Sequence, residues 1–236
     1  MAYIYPFRMA SATATMVLID PIAEEVIGGI RKNSAWVYPG YNSLSGGFME
    51  ARYVEDEVGS DMFHARGAAH GLLNMKYIAD EYHEGENLEE CAIREIAEEY
   101  GIQVDLDQLK MFTVRSNSRT DTRAHVVNAC YYIELRPAQS LALPDGKDVS
   151  MLDDLESVKR MKISDVEGAS ESDWPMAFNH FEIMQAGIAA WKKERHYLEL
   201  EGEVIALRAK LAAAEKRITD LGWDRDAAAG LLNWGA

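Results

Sequence analysis

The residues best able to do chemistry lie between Gly85 and Ile102, in the stretch GENLEECAIREIAEEYGI. On a helix, side chains three and four apart share a face, so Glu95, Glu98 and Glu99 would converge there. Three carboxylates on one patch repel each other unless something positive sits among them. A hard divalent cation such as Mg²⁺ or Mn²⁺ suits that place, because it takes oxygen ligands, keeps several waters and engages phosphates. It would act as a Lewis acid and lower the pKa of an attacking water. The ordinary alternative in an acidic chain is a solvated helix face. Arg94 and Glu86 flanking the carboxylates, and Gly101 placed to end the helix, argue against it.

These residues need a helix to align them and a sheet to hold the helix. Residues 86–100 are predicted helical, with Leu88, Ala92, Ile96 and Tyr100 at helical spacing, acidic residues in the first turn and Gly101 at the end. Ala14–Ile19 (ATMVLI) is predicted as a buried strand, Glu25–Ile30 as a second and Val126–Leu135 as a third. The stretch after Tyr38, with Pro39, Gly40, Asn42 and Ser43, has loop composition and leads into Gly46-Gly47. Residues 138–150 are predicted as a loop, VKRMKI as strand-like, and His180 to about Arg195 as a helix.

At 236 residues the chain can build one sizeable domain plus an appendage. Its net charge of −15 argues against nonspecific nucleic-acid binding, which depends on Lys and Arg displacing counterions. Metal ions would still let an acidic protein bind phosphates. No apolar run is long enough for a membrane span, and the N-terminus lacks the pattern of a secretory signal, so a cytoplasmic location is expected. Cys91 and Cys130 read as reduced, core-filling thiols.

Read from Glu86, the acidic stretch gives E-x7-R-E-U-x-E-E-x-G-U, with U a bulky aliphatic residue. This resembles the second part of the Nudix box, G-x5-E-x7-R-E-U-x-E-E-x-G-U. Read contiguously, the opening glycine of the box would fall on Asp80. Upstream, Ser45-Gly46-Gly47-Phe48-Met49-Glu50 resembles the G-G-F-x-E that opens such boxes, so residues 51–83 are read as an insertion in the box loop. Loop-closure entropy grows slowly enough with length to tolerate it. The insertion could be a substrate lid, a structural elaboration or a dimer contact.

The resemblance implies an α/β/α sandwich around a mixed sheet and a Mg²⁺- or Mn²⁺-dependent pyrophosphohydrolase. It makes Glu95, Glu98 and Glu99 metal ligands, with the Gly46 carbonyl as an extra one, and Glu95 and Glu98 catalytic through the metal. Glu86 would pair with Arg94 and orient the helix. Among Asp153, Asp154 and Glu156, in a region where relatives often carry an acidic residue near the metals, Glu156 is the expected general base.

Two further segments are similar to Nudix domains related to ADP-ribose pyrophosphatases. Ser118–Val127 resembles R-D-P-R-G-H-V-V, with Thr122 and Ala124 replacing Pro and Gly. Ala177-Phe178-Asn179-His180 resembles A-F-D-H, with Asn179 replacing Asp. ADP-ribose or a similar nucleotide sugar is therefore the expected substrate. Nucleoside triphosphates, dinucleoside polyphosphates, NADH and RNA caps are the alternatives, as is a nucleotide-sensing module without turnover. Arg115, Arg119 and Arg123 could fork onto phosphate oxygens or balance nearby carboxylates. Phe48 is read as a further substrate contact, and His125 as a packed or hydrogen-bonded residue.

Beyond Arg195 the apolar residues Tyr197, Leu200, Val204, Leu207, Leu211, Ala214, Ile218 and Leu221 alternate in steps of three and four, a heptad seam. Residues 195–222 read as a coiled-coil-like helix joining copies of the chain, or else a terminal helix packed on its own domain. Residues 1–194 form the expected hydrolase domain and 223–236 a tail.

Overall fold

The computed structural model describes residues 2–3, 11–49, 77–78, 86–117, 121 and 125–220. The chain divides into two compact units, Met1–Ala189 and Ala190–Ala236.

In the first unit, strand β2 (Ser11–Asp20) carries most of the organisation. Its run of β-branched and apolar residues is almost wholly buried, as a strand covered on both faces must be. It pairs in parallel with β8 (Val126–Glu134) and antiparallel with β3 (Glu25–Arg31) and β5 (Ser45–Phe48). Antiparallel β4 (Asn42–Ser43) and β9 (Leu155–Lys162) join β3, and β7 (Leu109–Asn117) closes the other edge against β8. The result is a mixed seven-stranded sheet. A separate two-residue pairing joins β1 (Ala2–Tyr3) to β6 (Tyr77–Ile78).

Alternate residues of β2 serve opposite faces. Ala14, Met16 and Leu18 enter a core with Cys91, Ala92, Ile96 and Tyr100 of helix α1 (Leu88–Tyr100). On the other face Val17 meets Gly187, in the first turns of the C-terminal helix (His180–Asp220), where Ile183, Met184 and Ile188 are buried. The expected α/β/α sandwich is the fold found.

Helix α1 begins two residues later than predicted. Asn87 accepts the Glu90 N–H at 2.9 Å and donates its own N–H to the Glu90 carboxylate at 2.8 Å, a capping box that leaves Glu86 outside the helix. Gly101 ends it in the left-handed conformation, φ 69°. The stretch 138–150 is not all loop: a short helix, α2 (Pro137–Leu141), starts with proline at its head. Strand β9 begins at Leu155, so Glu156 lies within it, and a short helix α3 (Ile163–Glu167) follows; the C-terminal helix is α4. Among the described residues, no helix is long and apolar enough to cross a membrane.

Candidate metal centre

The carboxylates of Glu95, Glu99 and Asp153 each offer an oxygen within 4.8 Å of the others. Helix α1 supplies the two glutamates, both buried, and the loop before β9 supplies the exposed Asp153. All the donors are oxygens of hard, ionisable groups, which suits a divalent cation such as Mg²⁺ or Mn²⁺.

Electrostatics make the same point. Burial pushes the Glu95 carboxyl up to about 7 against the opposing pull of Arg94, with Glu98 and Asp153 adding to the rise. Glu99 is driven well above the usual carboxylate range by burial and then by Glu95 and Asp153, although the Gly46 N–H donates to it at 3.2 Å. Asp153 is raised by desolvation and by neighbouring Asp154. Such a group of acids carries its full negative charge cheaply only beside a cation.

Arg94 holds one side of the cluster. Its Nε and Nη2 donate to the two oxygens of Glu86, at 2.9 and 2.8 Å. Nη1 lies 2.8 Å from both Glu95 Oε1 and Glu98 Oε2, and Nη2 also donates to the Phe48 carbonyl at 3.0 Å. Glu98, half exposed, is thus drawn to Arg94 one turn back, and Asp153 takes the third place in the compact group.

The two segments read as halves of one box meet across this site. Gly46 reaches Glu99 over 53 positions of chain, and Phe48 reaches Arg94 over 46. A Cβ on Gly47 would lie 2.0 Å from Glu95 Oε1, so only glycine lets β5 run this close to α1. The Gly46 N–H is the group that donates to Glu99.

Glu156 lies outside the cluster, lining an open cavity of about 560 Å³ with Lys32, Asn33 and Ser34. The physical reason is the strand: Glu156 is exposed within β9, whereas Asp153 precedes it on a loop free to turn toward α1. Arg115 donates to Glu182 at 2.9 Å, the charge-balancing alternative. Arg119, Arg123 and most of the segment 51–83 lie outside the described residues. Phe48 ends β5, half-buried. His125 bonds Ser116 through Nε2 at 2.7 Å.

Two supports of the site emerge only from the packing. Buried Arg31 donates to the Val37 carbonyl and to Asp154, at 3.1 Å each, while the Lys32 N–H donates to the Asp154 carbonyl; together they brace the loop that presents Asp153. Buried His180 accepts the Leu44 N–H at Nδ1, 3.0 Å, just before Gly46, and burial holds its pKa down to about 3, so the ring is neutral. The A-F-N-H segment marked His180 but not this task.

A family model for the NUDIX domain matches residues 64–185, just over half the chain. This chain belongs to the Nudix family. The Nudix match begins inside the segment read as an insertion, while β2, β3 and β5 before it complete the same sheet. It is a pyrophosphohydrolase by that membership. No curated protein matches the sequence significantly. Among solved structures, it is similar to a mutT/nudix family protein from Listeria innocua, with TM-score 0.53 and 16% identity over 80% of this chain and 99% of that one. It is also similar to the NUDIX domain of Shewanella oneidensis NrtR complexed with ADP ribose, with TM-score 0.51 and 17% identity over 78% and 90%. A third is a bifunctional NMN adenylyltransferase/ADP ribose pyrophosphatase from Francisella tularensis, complexed with AMP and Mn ion, with TM-score 0.51 and 18% identity. There the match covers 79% of this chain but 43% of that protein. At such identities the likeness establishes the fold.

Proposed function

We propose that this Nudix domain hydrolyses the pyrophosphate bond of ADP-ribose or a similar nucleotide sugar, giving a nucleoside monophosphate and a phosphorylated partner. The observation that carries the reading is the Glu95–Glu99–Asp153 cluster at the junction of β5 and α1. The substrate class draws on the segments around Arg119–Val127 and Ala177–His180, and on the ADP ribose and AMP complexes of the two structural relatives.

Glu95 and Glu99 hold Mg²⁺ or Mn²⁺, with Glu98 and the Gly46 carbonyl completing the set. The ion supplies Lewis-acid stabilisation of the charge that develops on the phosphates. Asp153 replaces Glu156 as the group that takes the proton of the attacking water, because its carboxylate reaches the cluster while staying open to solvent. Arg94, locked by Glu86, keeps Glu95 and Glu98 aimed. Arg119, Arg123 and Phe48 contact the substrate, and Arg115 stays with Glu182. Residues 51–83 form an insertion in the box loop, and residues 195–222 join copies of the chain through the heptad seam.

A panel of ADP-ribose, other nucleotide sugars, nucleoside triphosphates, dinucleoside polyphosphates, NADH and capped RNA, incubated with Mg²⁺ or Mn²⁺ and resolved by product chromatography, tests the reading. Turnover should be best with ADP-ribose-like compounds and fall more than about 100-fold in Glu99→Gln with the fold intact. Asp153→Asn should lower kcat by on the order of 10²-fold or more, and Glu156→Gln should not. Tight binding of one nucleotide without turnover of any would overturn the enzyme in favour of a sensor.

A further inference from the structure

We infer that the C-terminal helix pairs with a second copy of itself as a parallel, in-register, two-stranded coiled coil. The inference rests on the proposal that this helix joins copies of the chain, and adds the partner's direction and register. Every residue from Arg195 to Asp220 is exposed, including the seam at Tyr197, Leu200, Val204, Leu207, Leu211, Ala214 and Ile218. With Tyr197 at heptad position a, the a positions are Tyr197, Val204, Leu211 and Ile218, and the d positions are Leu200, Leu207 and Ala214. Leu198 and Ile205 fall at position b, away from the seam. Val204 and Ile218 at a, with Leu200 and Leu207 at d, are the β-branched and leucine pattern that favours two parallel strands.

Charge complementarity decides the direction. The g positions carry His196, Glu203, Lys210 and Arg217, and the e positions Glu201, Arg208 and Glu215. In a parallel in-register pair each g residue faces the e residue five positions on in the other copy. Glu203 then meets Arg208, Lys210 meets Glu215, and His196 meets Glu201. A parallel slip of one heptad sets Glu203 against Glu215. An antiparallel pair that keeps the seam whole matches Glu203 with Arg217 but sets Arg208 against Arg208, Lys210 against Lys210 and Glu201 against Glu215. An antiparallel pair staggered by one heptad matches Glu203 with Lys210 and Glu201 with Arg208, but it leaves Ile218 facing Lys193 and Glu215 facing Glu194. Only the parallel in-register pair keeps both the apolar seam and the charges satisfied.

The test uses the full chain, with mass from sedimentation equilibrium and disulfide trapping of Leu200→Cys and Ala214→Cys separately; Cys91 and Cys130 are buried, and the unaltered protein is the control. A mass of two chains, with each cysteine variant cross-linking to its own counterpart, is expected, because only in-register parallel strands bring identical positions together. In parallel, Glu203→Lys should weaken the dimer roughly ten-fold, since two symmetric pairs turn repulsive, and adding Arg208→Glu should restore it. In the staggered antiparallel pair the same double variant would be worse than the single one. A two-chain mass with no self-cross-linking, but with trapping of Leu200→Cys/Leu211→Cys, overturns the parallel arrangement alone. A single-chain mass overturns both it and the proposal of joined copies, and a mass of three or four chains overturns the two-stranded pairing.

Discussion

Arg94 shows how one side chain can serve a site without touching the chemistry. Its guanidinium meets a carboxylate on each of three sides and a backbone carbonyl, and the forked pair with Glu86 gives it one orientation. Both partners are mostly shielded from water, so removing one leaves an uncompensated charge. Arg94→Ala should cost roughly 3 kcal/mol in chemical denaturation. Arg94→Lys should recover only part of it, because an ammonium cannot fork onto Glu86 while holding Glu95 and Glu98. Equal stability of all three proteins would show the network to be incidental.

At the scale of elements, the site is a seam between β5 and α1, and its closeness is set by two glycines that fail differently. A methyl group on Gly47 would run into the Glu95 carboxylate, the far end of a flexible side chain. Gly47→Ala should therefore displace Glu95 and lower Mg²⁺ affinity and turnover, at less cost to the melting temperature than Gly46→Ala. On Gly46 the same methyl group would meet the Ala14 carbonyl oxygen at 2.4 Å, part of the backbone of β2, which cannot step aside. Gly46→Ala should cost about 1–3 kcal/mol in stability as well. Thermal melts and metal titrations of the two variants, read together, test the distinction; identical behaviour would contradict it.

For the whole molecule, the acidic cluster makes stability depend on pH in a direction opposite to the usual. Glu95, raised from 4.5 to about 7, favours folding most below about 4.5, and that contribution is lost as the pH rises through 7. Glu99, raised further, acts in the same sense. Asp20 works the other way: burial opposes its charge, but hydrogen bonds from Ser140, the Ala23 and Ile22 N–H groups and Arg160 outweigh it and hold it down at about 2. Its contribution is present above 3.8 and fades only as the pH falls toward 2. Metal-free protein should thus melt at a lower temperature at pH 8 than at pH 5.5, and Mg²⁺ should reverse that order. Mg²⁺ binding near pH 7 should also release protons, measurable by calorimetry in buffers of different ionisation enthalpy. Melting temperatures independent of both pH and Mg²⁺ would contradict the electrostatic picture.

The sequence by itself determined what local pattern can determine. Helical spacing aligned Glu95 with Glu99, Gly101 marked the helix end, and the apolar runs at Ala14–Ile19 and Val126–Leu135 became the central parallel pair. Strand β7 escaped notice because it is an edge strand with Met111 and Val114 exposed, and β5 because glycines read as loop until a neighbouring helix requires them. Tertiary structure alone decided that Asp153 and not Glu156 faces the cluster, that buried Arg31 braces its loop, and that Arg115 answers to Glu182. Spacing governs which residues share a face of one element, whereas contacts between elements depend on how strands and loops pack, which no local period encodes.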